Sequence, residues 1–322
     1  MSARRNPYVG PRALRAGEPL HGRDREVARL YDRVLAERIV LLYSPSGAGK
    51  SSLLQAGLIP RLQASGFAIR PVVRVGLEPP TGAPAGVNRY VLSTLLSLEE
   101  DVPQARQLEL TALAGLTLAQ YLARRREGEG EDAEVLVLDQ FEELLTVEPT
   151  AIAARQAFFA QLGEALRDDR VWLVVAMRED FIAGLDPHRA AIPGKLRATF
   201  RLDLLDRTAA LAAVQAPALA AGVTFRAEAA EQLVDDLRQV RVQGIDGAVE
   251  TLQGPYVEPV QLQVVCRGLW AALPADAREI AAADVARLGD VDQALARYYD
   301  AEVAAAARAS KTPERALRGW IG

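Results

Sequence analysis

Two hydrophobic periods alternate along this chain. Short apolar runs of strand length occupy residues 39–43, 135–138 and 172–177, and residues 69–75 and 200–204 carry patterns of similar length. Between them apolar side chains recur three and four apart. Val27, Leu30, Tyr31, Val34 and Leu35 form one such face, Leu53, Leu54, Leu58 and Leu62 a second, and residues 90–98 and 116–122 two more. Strands alternating with helices predict an α/β sandwich on a parallel sheet. From Arg207 onward the helical period takes over, in residues 209–219, 227–237, 260–270 and an alanine-rich stretch at 291–307. One interruption breaks that series: residues 240–243 and 249–252 alternate around Asp246-Gly247, the pattern of a small inserted hairpin. Three prolines and two glycines make residues 6–20 an arm or linker. Residues 76–86 read as a Pro/Gly-rich loop, and the acidic residues 128–132 as a solvated turn.

The candidate chemistry sits where the first strand meets the second helix. Ser44-Pro45-Ser46-Gly47-Ala48-Gly49-Lys50-Ser51 is a small-residue loop between them, followed by Ser52. A polyphosphate needs several donors converging from a backbone that can approach closely, and Gly47 and Gly49 permit that approach. Amides of the loop and of the helix start would wrap the phosphates, Lys50 would reach the terminal ones, and the Ser51 hydroxyl would ligate Mg²⁺. This is a Walker A loop with one departure, Ser44 in place of the first glycine. The candidate nucleotide contacts are therefore Ser44, Pro45, Ser46, Gly47, Ala48, Gly49, Lys50, Ser51 and Ser52.

Residues 135–138 end in Asp139, and a buried parallel strand that ends in a carboxylate points an acid at Mg²⁺ from the edge where ligands bind. Asp139 is thus the candidate second metal ligand. Glu142 and Glu143 follow within a turn and are the clustered candidates for activating water, although either could instead cap the next helix. Strand alternation puts 139, 141 and 143 on one face if the extended geometry persists past Asp139, and a helical turn there would also bring 143 under 139; both favour Glu143 as the base, with Glu142 orienting it or the metal. Arg178 ends the strand at 172–177 and is placed to sense a terminal phosphate, while Glu179 and Asp180 offer it ordinary ion pairs. A strand lying in sequence between the P-loop strand and the Asp139 strand argues for a five-stranded sheet of order 5-1-4-3-2. The expected fold is a P-loop NTPase three-layer sandwich followed by a small helical domain. The expected divisions are an arm at 1–20, a nucleotide-binding domain at 21–205, a helical lid at 206–309 with its hairpin, and a further segment at 310–322.

Composition narrows the partners. Half of the 322 residues are hydrophobic, enough for a large core. A net charge of −4 and a pI near 5.5 give no field that attracts nucleic acid or an anionic membrane. The single cysteine, Cys266, excludes an internal disulfide and suits a reducing compartment, and no apolar run reaches spanning length. The expectation is a soluble, cytoplasmic protein.

With these motifs in place the chain resembles the STAND class of signal-transducing P-loop ATPases, and within it the bacterial novel STAND NTPase family. The resemblance rests on Asn6-Pro-Tyr, His21-Gly-Arg-Asp-Arg-Glu, the loop from Tyr43 through Gly57, Asp139-Gln-Phe-Glu-Glu-Leu, Ala176-Met-Arg-Glu-Asp, Gly254-Pro-Tyr-Val-Glu-Pro-Val-Gln-Leu-Gln and Leu288-Gly-Asp-Val-Asp. It implies Lys50 and Ser51 as phosphate and Mg²⁺ contacts, Asp139 as the Walker B acid and Arg178 as the first sensor. It implies Arg23 near the adenine base, where the residues alone allow an Arg23–Glu26 ion pair equally well. It implies Pro259 against the base, where a first-turn helix proline is the plain alternative. The activity implied is a slow ATPase switch: ADP holds a silent state, ATP opens it, and opened subunits self-associate to activate a fused or associated effector in signalling or conflict. Thr312-Pro313-Glu314 opens a helix that the resemblance makes the start of a winged-helix domain, whose ADP-binding histidine neither His21 nor His188 matches, so weakened ADP binding is expected. An AAA+-like DNA-handling ATPase and a P-loop small-molecule kinase remain the alternatives, the first disfavoured by the acidic pI and the second by the absence of an acceptor lid between strands.

Overall fold

The computed structural model describes residues 5–126, 133–243, 249–289 and 291–321. Strands β1 (Ile39–Ser44), β2 (Ala68–Ile69), β3 (Val73–Arg74), β4 (Glu134–Asp139), β5 (Val171–Arg178) and β6 (Thr199–Arg201) build one sheet of order β2-β4-β5-β1-β6, with β3 also on β4. Every pairing in it is parallel. Taking β2 and β3 as one interrupted strand, this is the expected order 5-1-4-3-2. The interruption has a local cause. Pro71 lacks the N–H a ladder needs, and the Arg70 side chain turns away to Glu134, 2.8 Å distant, so the expected single strand at 69–75 becomes two short ones.

Period-2 alternation sorts the sheet into two packed faces. Ile39, Leu41, Leu136, Leu138, Leu173 and Val175 meet helices Arg89–Glu99 and Ile152–Ala165 through Tyr90, Leu95, Phe158, Phe159 and Leu162. Val40, Leu42, Val135, Val137, Val174 and Ala176 meet helix Asp24–Glu37 and the P-loop helix through Leu30, Val34, Leu53, Leu54 and Leu58. Fully burying each such side chain contributes roughly 1.5–3 kcal/mol. The P-loop helix spans residues 50–64 and is a π-helix over Leu53–Leu58.

A third hydrophobic cluster joins helices Arg207–Ala220, Ala227–Leu237 and Pro259–Ala272 through Val214, Leu233, Val234, Leu262, Val265 and Trp270. The expected hairpin is present as antiparallel β9 and β10 once β7 (Leu205–Asp206) and β8 (Thr224–Phe225) are counted; β9 is Gln239–Gln243 and β10 is Val249–Gln253. Its Asp246-Gly247 turn and the acidic turn at 128–132 lie outside the described residues. The alanine-rich helix runs Val291–Ser310, and Glu314–Ile321 is helical. Tyr8, from the arm, is 1% exposed within this third cluster, and its hydroxyl donates to Val214 O. The arm is thus packed as part of the helical region. No helix among the described residues is long and apolar enough to cross a membrane.

Candidate functional site

β1 delivers Ser44 in extended conformation, paired with Arg178 of β5, so this position has no need of the glycine usual there. Gly47 and Gly49 turn the loop at φ 74° and 91°, conformations that L side chains adopt at a cost. Lys50 folds back over the loop. Its Nζ donates to Ser44 Oγ at 2.9 Å and more weakly to Pro45 O at 3.5 Å, while Ser44 Oγ donates to Pro45 O at 2.7 Å. An ammonium has three protons, so the lysine is steadied by two acceptors and keeps a third donor for a phosphate. Burial pushes its pKa down, and Glu142 and then Asp139 oppose that shift by their negative charge.

The two acids on which that field depends come from the end of β4. Asp139 is 3% exposed, and one of its carboxylate oxygens accepts the Gln140 N–H at 2.9 Å. Gln140 then takes a left-handed φ of 53°, and Phe141 N–H is bound by Ala176 O at 2.9 Å. The extended geometry therefore stops at Asp139. This overturns the alternation that favoured Glu143. Glu142 points back toward the loop, where its Oε2 accepts the Arg178 N–H at 3.2 Å, whereas Glu143 pairs with Arg74 of β3 and fills the space that Gly76 leaves open. Sequence reasoning missed Arg74, whose signal is its register opposite Asp139.

Arg178, at the end of β5, makes an ion pair in this structure. Its guanidinium bonds Asp180, with Nε at 3.2 Å, and lies over the Phe181 ring, 42% exposed. A metal ion at this site would find the Ser51 hydroxyl and the Asp139 carboxylate. No group of three or more His, Cys, Asp or Glu side chains converges among the described residues. One hydroxyl and one carboxylate suit Mg²⁺, which takes its remaining ligands from phosphates and water.

The opposite side of the loop is closed by segments remote in sequence. Arg23, 4% exposed, donates to Ala48 O at 3.0 Å, to Asp203 O at 2.8 Å and to Glu26 at 3.0 Å, so it makes the ion pair and braces the loop as well. Burial lowers its pKa and Glu26 resists the shift. Pro259, first residue of its helix, lies 3.9 Å from where a Cβ on Gly49 would be. Ser52 Oγ accepts the Leu14 N–H of the arm at 3.0 Å, which leaves its own proton free to donate. The arm is further tied to the helical region by Val9 N–H to Gln263 at 2.9 Å and by the Asn6 amide to Arg267 O at 3.0 Å. Between these walls opens a cavity of about 1090 Å³, bordered by Leu14, Arg23, Gly49, Ser52 and Pro259. The Asn6-Pro-Tyr motif was the one sequence sign that the arm belongs here.

Comparison with known proteins agrees with this fold. The family model described as Novel STAND NTPase 1 matches residues 7–318. Among solved structures, the Walker-type ATPase of Pyrococcus abyssi superposes with a TM-score of 0.59 at 15% identity, covering 95% of this chain and 79% of that one. The ORC2 protein of Aeropyrum pernix, solved as ADPNP–ADP complexes, superposes with a TM-score of 0.56 at 15% identity, covering 91% of this chain and 72% of that one. At these identities the likeness is one of fold. No curated protein sequence matches.

Proposed function

The chain belongs to the novel STAND NTPase 1 family, and from that premise we propose that it is an ATP/ADP-binding, slowly hydrolysing switch. The observation that carries the proposal is the pairing of two half-sites across Gly49. On one side Lys50 is held by Ser44 and faced by Asp139 and Glu142; on the other a cavity is bounded by the arm, Arg23 and Pro259. The first half suits phosphates and the second is large enough for a nucleoside.

In this reading the amides of residues 46–51 cradle the phosphates, and Lys50 neutralises the terminal ones with the proton donor it keeps free. Ser51 and Asp139 hold Mg²⁺, which when bound offsets the phosphate charge. Glu142 is the acid placed to accept the proton of the attacking water. Arg23 acts as a positioning residue by fixing Ala48, and Ser52 donates to a phosphate oxygen. Arg178 would sense the terminal phosphate only by leaving Asp180. Nucleotide state would then govern self-association and the output of an effector, as the family resemblance suggests, within bacterial signalling or defence.

The test is to release and identify any nucleotide that copurifies, then to compare mass in solution with ADP and with ATP. Phosphate release without an added acceptor separates this reading from a kinase. DNA binding with a steep salt dependence would favour the DNA-handling alternative. Absence of bound nucleotide together with no affinity for ADP or ATP overturns the proposal.

A further inference from the structure

Pro259–Ala272 begins directly over the phosphate loop, and the residue that leads into it is Glu258. Its Oε2 lies 3.8 Å from the position a Cβ on Gly47 would take, with Val260 Cγ2 at 3.9 Å beside it. Glu258 is the N-cap of that helix yet makes no capping hydrogen bond to it. Among the described residues its carboxylate has neither a hydrogen-bond nor an ion-pair partner. It is also not among the main charges acting on Lys50, which are Glu142, Asp139, Arg178 and Glu179. A lone half-buried carboxylate therefore faces the apex of a loop whose glycine turns suit anions.

We propose that Glu258 sets the preference of this site for nucleoside diphosphates over triphosphates. The inference rests on the loop being a nucleotide site. Like charges a few ångströms apart repel, and the repulsion grows with the charge on the ligand. A diphosphate meets Glu258 with less charge than a triphosphate, so closure of the helical region over the loop costs less. The terminal phosphate then acts against the closed position through one side chain. Glu258 is a specificity-determining residue, acting through charge and not as a ligand of the metal.

The experiment titrates ADP and ATP, each with and without Mg²⁺, into the wild-type chain, Glu258→Gln and Glu258→Asp at low and at high salt. Glu258→Gln keeps the size of the side chain and removes its charge. It should tighten ATP more than ADP, lowering the Kd ratio of ATP to ADP on the order of tenfold, within the range usual for coupled sites. The gap between the wild-type ratio and that of Glu258→Gln should shrink as salt screens the repulsion. Glu258→Asp should keep a diphosphate preference and its salt dependence. Helical content and unfolding temperature confirm that each variant is folded. An unchanged ratio in a folded Glu258→Gln, or ATP affinity lost only with Mg²⁺ present, overturns the inference, the second result making Glu258 a metal ligand. If the wild-type chain binds neither nucleotide, the failure lies with the nucleotide site itself.

Discussion

Glu142 and Glu143 are neighbours in sequence with different partners in space, and their variants should differ accordingly. Glu142→Gln should keep nucleotide affinity and slow phosphate release on the order of 10²-fold or more, the usual cost of losing a general base. Glu143→Gln loses a partly exposed pair with Arg74, worth no more than about 1 kcal/mol, and should leave turnover near wild type. Steady-state phosphate release and thermal unfolding check both, and the reverse order would return the base to Glu143. A second residue-level prediction concerns Lys50. Burial lowers its pKa, so its charge is lost below the ordinary lysine value of 10.5, and nucleotide affinity should fall as pH rises through that lowered value. Between the lowered value and 10.5 the unfolded chain holds more protons than the native one, so in the ligand-free protein this group should make stability rise with pH. Lys50→Ala should bind nucleotide weakly throughout the range and lack that gain, as titrations and denaturation at several pH values would show. The chemistry of this loop was legible in the sequence because it depends on residue type at fixed short spacing. The choice between two adjacent acids was not, because it turns on the left-handed φ of Gln140, a residue whose type does not require it.

Among the elements, the contact of the segment leading into Asp24–Glu37 with helix Arg207–Ala220 leaves little room. Gly22 takes φ 76°, and a Cβ there would stand 2.3 Å from Ala209 O, a backbone atom with little room to yield. Gly22→Ala should therefore destabilise the protein by about 2 kcal/mol or more through overpacking and strain. Thermal unfolding should show the loss, and faster hydrogen exchange over 207–220 should show where it falls. Strands and helices were readable from the two hydrophobic periods because local burial imposes them. The break at Pro71 could have been read from the proline alone. The π-helical stretch at Leu53–Leu58 could not, since its residues carry an ordinary helical pattern.

Over the whole molecule, the arm, the phosphate loop and the start of Pro259–Ala272 border one cavity. A nucleotide at a hundredfold excess over its Kd should stabilise the wild-type chain by about 2.7 kcal/mol and protect all three segments together in hydrogen exchange. Protection confined to residues 44–52 would show that arm and lid are not walls of the site. Tyr8→Ala, which empties a core position of the helical region, should cost about 3 kcal/mol and loosen the arm, seen as a lower denaturation midpoint and earlier proteolysis near residue 14. The sequence by itself determined the strand order and picked out the candidate phosphate-binding side chains. Period, length and motif spacing are local quantities, and parallel strands joined by helices leave few topologies open. Only the tertiary structure decided that Ser44 steadies Lys50, that Glu142 and not Glu143 faces the loop, that Tyr8 packs against Val214 across 206 residues, and that Glu258 stands over Gly47. Those pairings are set by how three packed layers and a helical region close on one another, and no short-range pattern in the chain records that closure.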